Sequence, residues 1–129
     1  MNERLLKLAG PIHVVGGLLL FAAGFSPWAL SHLQPLMIGN SDYVWSSYFV
    51  SILGPTIASW GVLFGALVNQ FYETPSPKLW RSLLLSLLVW APLDTALCLR
   101  YGVTLGVIVN TTVVFIIGAL LINARKLVR

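Results

Sequence analysis

"YVWSSYFVSILGPTIASWGVLFGALVNQFY", residues 43–72, decides the fold. It runs for thirty positions without one Asp, Glu, Lys or Arg. About 20 apolar residues suffice to cross a hydrocarbon core of roughly 30 Å. Such a segment is helical, because a helix satisfies its own backbone N–H and C=O groups where no water can. Residues 8–41 and 101–124 are equally free of these charges, and residues 82–99 contain only Asp94. Of the 129 residues, 57% are hydrophobic and 9% charged. A soluble domain is nearer a quarter charged, so the charge deficit points to lipid rather than water.

These runs place four spans at about 8–30, 46–70, 79–99 and 102–123. The expected fold is all-α, a polytopic four-helix membrane bundle forming one domain over residues 1–129. The basic, apolar N-terminus could suggest a signal peptide, but its apolar run exceeds a typical h-region and is expected to be a retained span. "YETPSPK" (72–78) is a turn, because Pro75 and Pro77 interrupt helix hydrogen bonding and Glu73 favours water. "RYG" (100–102) is a tight connection, relaxed by Gly102. The first connection, residues 31–45, is the longest and is expected to be a loop.

The net charge of +4 is distributed by topology. Arg4, Lys7, Lys78, Arg81, Arg125, Lys126 and Arg129 fall on one side of the bilayer, and Arg100 alone on the other. The basic side faces the cytoplasm by the positive-inside rule, which places both termini there. No basic run is interleaved with aromatics, so no nucleic-acid partner is expected. Cys98 is the single cysteine, which excludes an internal disulfide and a thiol pair. No metal or other cofactor is expected. Trp80 suits the basic membrane interface, and Trp28 and Trp45 the opposite one.

Two helix faces are small or polar. At 100° per residue, Ser47, Ser51, Gly54, Ala58, Gly61, Gly65 and Asn69 share an arc of about 80° on the second span. Gly10, His13, Gly17 and Gly24 share a face of the first. Gly102 and Gly106, with Asn110, recur at intervals of four in the fourth span. Small residues let helix backbones approach closely in lipid, within a bundle or between chains. Pro55, beside Gly54, is expected to kink its helix.

Asp94 carries the functional question. It lies about 15 residues into the third span, or roughly 22 Å, in the half of the bilayer away from the basic side. Asn110, Thr111, Thr56 and Ser51 lie at similar depth, and Arg100 lies above them. One polar layer formed from these residues is the expected site. Asp94 and Arg100 are about 600° apart on an ideal helix, so pairing them requires distortion near Pro92 or a second chain. Trp90, one turn before Asp94, and Trp60, at depth in the second span, are candidates for the wall of the site. His13 is a candidate proton acceptor or ligand, or a packing residue. His32 has no metal-spaced partner.

"GPTIASWG" (54–61) and "PLDTALCLRYG" (92–102), followed by Asn110, resemble segments of a group of small bacterial four-helix membrane proteins of unknown function. The resemblance groups Gly54, Pro55, Ser59, Trp60, Asp94 and Asn110, and implies a bacterial inner membrane. It implies no activity. Small multidrug exporters have a Glu in the first helix that this chain lacks. Fluoride channels have a Thr-Phe-Ser segment that is absent here, and quinone-reducing disulfide enzymes need paired cysteines.

Three functions follow from the residues. The polar layer favours binding or carrying a small or lipid-like molecule. The small-residue faces suit an accessory or scaffold subunit in a homo-oligomer or larger membrane complex. A membrane enzyme acting on a lipid-like substrate is the third, although no base, nucleophile and oxyanion-binding set is visible.

Overall fold

The computed structural model describes residues 2–37 and 43–128. The elements are α1 (Asn2–Ala23), α2 (Pro27–Met37), α3 (Tyr43–Glu73), α4 (Pro77–Arg100) and α5 (Thr104–Ala124), followed by a 3-10 turn, Arg125–Val128. Helices α1, α3, α4 and α5 are long and apolar enough to cross a membrane. Around the bundle, α1 lies beside α3 and α5, and α4 completes the ring between them.

The first span differs from expectation. It does not continue to residue 30: the backbone turns at Gly24 and Phe25, and α2 begins at Pro27. The Ser-Pro step explains the break. Proline disfavours helical backbone at the residue before it and suits the first position of a new helix. Ser26 Oγ accepts a bond from Ala29 N at 3.3 Å, which caps α2. Part of the expected 31–45 loop is therefore helix, while residues 38–42 and the Trp45 side chain lie outside what is described. At its other end α1 extends back to Asn2, helped by a 2.8 Å Glu3–Lys7 ion pair one turn apart.

Helix α3 is one uninterrupted element through Pro55. Helix α4 starts on a cap–proline pair: Ser76 Oγ accepts from Leu79 N at 3.1 Å, and Pro77 stands at the first position. Gly102, counted above among packing glycines, is not at a close helix contact: a Cβ there would meet nothing within 4 Å. Its φ of +70° turns the chain between α4 and α5, a conformation that costs a side-chain-bearing residue about 1–2 kcal/mol.

The two glycine faces meet each other. A Cβ on Gly10 would lie 2.7 Å from Gly65 Cα and 2.8 Å from Gly61 O. A Cβ on Gly17 would overlap Gly54 O and Ala58 N, and one on Gly24 would overlap Ser51 Oγ. Gly10, Gly17 and Gly24 step by seven along α1 and the turn that ends it, while the pairs 65/61, 58/54 and 51/47 step back by seven along α3. The helices are thus antiparallel and nearly backbone to backbone, with Ser47 Oγ donating to Gly24 O at 2.7 Å. Close backbone approach supplies dispersion contacts that lipid cannot match, the main source of helix association in a bilayer.

The main apolar core is one-sided. Leu6, Ala9, Phe64, Val68, Phe71, Leu83, Leu87, Ile117, Leu121 and Ala124 form it, all toward the basic end. Trp80 closes it: its indole N–H donates to Leu121 O at 2.8 Å, and Arg125 lies over the ring at 5.3 Å. At the far end Trp28 is 73% exposed, as an interfacial tryptophan would be.

Candidate functional site

Helices α4 and α5 bring Asp94 and Asn110 together. Asn110 Nδ2 donates to Asp94 Oδ2 at 2.6 Å and lies 3.9 Å from Cys98 Sγ. Asn110 is 4% exposed, whereas Asp94 and Cys98 are half-buried. Burying the carboxamide would be costly without a partner, and the Asp94 carboxylate provides one. Gly106 makes the approach possible: a Cβ there would lie 2.5 Å from Cys98 Sγ. Thus Gly106 lets α5 close on α4 one turn from Asn110, and the two side chains meet across that contact.

An aromatic stack adjoins this pair. Trp60 of α3 stacks on Trp90 of α4, with centroids 5.5 Å apart and planes 30° apart. Phe64 stacks on Trp60 at 4.7 Å, and His13 of α1 meets Trp60 edge-on at 4.6 Å. His13 Nδ1 is 2.7 Å from Ala9 O, so that nitrogen carries the hydrogen and donates it. Trp60 and Trp90 pack on the edge of the main core. Asp94 is one turn further from the basic end than Trp90. The stack therefore stands between the main apolar core and the level of the carboxylate.

The rest of the expected polar layer does not gather around Asp94. Thr56 is exposed and donates to Ile52 O at 3.0 Å within its own helix. Ser51 is committed to the glycine seam against Gly24. Thr111 is exposed. Arg100 is exposed, with its guanidinium 5.8 Å from the Tyr101 ring centroid, and among the described residues the ion pair is Glu3–Lys7 rather than Asp94–Arg100. The roughly 600° between Asp94 and Arg100 is not overcome by the proline. His32 is exposed, 2.8 Å from Trp28 O, and the described residues hold no group of three metal-ligating side chains.

Cys98 is the residue that sequence reasoning left out of the site. It stands four positions after Asp94 and so shares its face, a spacing visible in the sequence. Beside it is a hollow of about 170 Å³, lined by Cys98, Leu99, Gly102, Thr104, Val107 and Ile108. Asp94, Cys98 and Asn110 thus place a carboxylate, a thiol and a carboxamide together, with Cys98 lining the hollow and Asn110 buried.

Comparison with protein-family models, curated proteins and solved structures finds no match to this chain.

Proposed function

We propose that this chain is a small bacterial inner-membrane protein that binds or carries an amphipathic, lipid-like molecule. Its polar head would be held by Asp94 and Asn110, beside the Trp60–Trp90 stack. The observation that carries this reading is the half-buried Asp94 carboxylate, held by a buried asparagine beyond the main core. A charged carboxylate costs on the order of 3 kcal/mol at the bilayer centre, and part of that in the outer half, unless its surroundings compensate. Asn110 supplies one donor. A hydroxyl or amine on an incoming head would supply another and remove part of that cost. The Trp90 end of the stack, one turn from the acid, suits an apolar portion of the same molecule.

The seven basic residues on one side support an orientation with both termini in the cytoplasm, which puts Asp94 in the outer half of the bilayer. The assembly reading loses its main support. The glycine faces it relied on are occupied within the chain, α1 against α3. The enzymatic reading has little to build on: among the described residues Ser31 Oγ lies 3.2 Å from His32 Nδ1, but that hydroxyl donates to Trp28 O at 2.7 Å.

The single cysteine gives a local test. Cys98 should react with a membrane-permeant alkylating reagent more slowly in native membranes than after delipidation. Asp94→Asn should abolish the difference. Equal rates in all four samples would count against an occupant at this site.

A further inference from the structure

We infer a second lipid site, at the basic end of the bundle, that takes the phosphate head of an anionic phospholipid. A cleft of about 460 Å³ opens there, lined by Glu3, Tyr72, Pro75, Asn123, Ala124, Lys126 and Leu127. This volume lies within the roughly 300–1,000 Å³ of small-molecule sites. Three parts of the chain form it: the start of α1, the end of α3 with the following turn, and the end of α5 with its 3-10 turn. The apolar spans end at this level, at Glu73 and Val128, so the cleft stands at head-group height.

The chemistry of its wall is that of an anion site. Glu3 is the one acid in the lining, and Lys7 neutralises it at 2.8 Å while lying 5.6 Å from the Tyr72 ring centroid. Lys126 has no ion-pair partner among the described residues, so its charge is available to a phosphate. The Asn123 carboxamide and Tyr72 hydroxyl add hydrogen-bond donors, and Ala124, Leu127 and Pro75 give an apolar side for the glycerol and first acyl carbons. Among the described residues this end carries six Lys and Arg against two acids, Glu3 and Glu73, which favours an anionic over a zwitterionic head. The bilayer is the source: a phospholipid already has its phosphate at this depth.

The test is native mass spectrometry of the full chain in phosphatidylcholine nanodiscs containing a minor share of phosphatidylglycerol. One retained phosphatidylglycerol per chain is expected. Lys126→Gln should lower retention at least about tenfold, as expected for loss of a direct charge-assisted hydrogen bond to the phosphate. Asn123→Leu should lower it further, and Lys126→Arg should keep it. Lys78→Gln removes equal charge outside the cleft and should leave retention unchanged, as should Asp94→Asn, which separates this site from the other. Equal loss in Lys78→Gln and Lys126→Gln would overturn the site in favour of general attraction. Absence of retained lipid, or complete displacement by soluble glycerol phosphate, would overturn it too.

Discussion

Replacing Asp94 and Asn110 by leucine, singly and together, separates a paired polar contact from two independent side chains. Asn110→Leu leaves the Asp94 carboxylate without its 2.6 Å donor, and Asp94→Leu leaves a carboxamide that is 4% exposed without its acceptor. Either single change strands a desolvated polar group, at a cost of about 1–3 kcal/mol. Removing both leaves no stranded group and adds apolar surface facing lipid or the neighbouring helix. The double variant should therefore be more stable than either single one. Interhelical hydrogen bonds in membranes couple by about 0.6 kcal/mol on average, with a maximum near 1.7. This bond is short, engages a carboxylate and lies at a close helix contact made by Gly106, so the upper part of that range applies. A coupling of about 1–1.7 kcal/mol is expected, or about 5- to 18-fold in the folded-to-unfolded ratio. Reversible unfolding in bicelles, followed by tryptophan fluorescence, measures all four corners of the cycle. Additive single effects, with coupling below about 0.3 kcal/mol, would refute the pairing.

Adjacent glycines in α1 should respond in opposite ways. Gly17→Leu drives a side chain into Gly54 and Ala58 and should destabilise the fold by about 1–3 kcal/mol, while a Cβ at Gly16 meets nothing within 4 Å, so Gly16→Ala should be neutral or slightly stabilising in thermal unfolding. Gly102→Ala should cost about 1–2 kcal/mol because of the +70° φ, again read by unfolding. Trp80→Phe removes the bond to Leu121 O and should cost about 1 kcal/mol, with faster exchange or proteolysis at the C-terminal turn.

How much was legible in the sequence follows from what one-dimensional patterns encode. Three uncharged runs, and residues 82–99 with Asp94 alone, marked the four helices long and apolar enough to cross a membrane, because hydrocarbon tolerates few charges anywhere along a span. They hid the break at Gly24, because both sides of it are equally apolar; the signal was Ser26-Pro27, a cap followed by a first-turn proline. Helical angles identified both glycine faces without saying that each was the other's partner. The common step of seven in Gly10, Gly17, Gly24 and in the α3 pairs contained that information, since an antiparallel pair keeps one register only if both repeats match.

Depth alone brought Asp94 and Asn110 together, and it misplaced Ser51 and Thr56. Depth fixes height in the bilayer but not direction around the helix. Ser51 belonged to the glycine arc, and one residue cannot serve that seam and a separate polar layer. Thr56 is about 200° around the helix from Gly54, on the outward side, and is exposed. Cys98 was recoverable from its i+4 spacing to Asp94, whereas the Trp60–Trp90 stack depends on the relative rotation of α3 and α4, which no single-helix pattern contains.

The central claim is that Asp94 holds the head of an amphipathic molecule, and native mass spectrometry of the full chain, extracted gently with its own lipids, tests it most directly. A discrete adduct on the wild-type chain, retained in Lys126→Gln and lost in Asp94→Asn with the fold intact, is the result this account predicts. A folded wild-type chain without an adduct that depends on Asp94 would contradict it, and would leave the Asp94–Asn110 contact as a packing bond between α4 and α5.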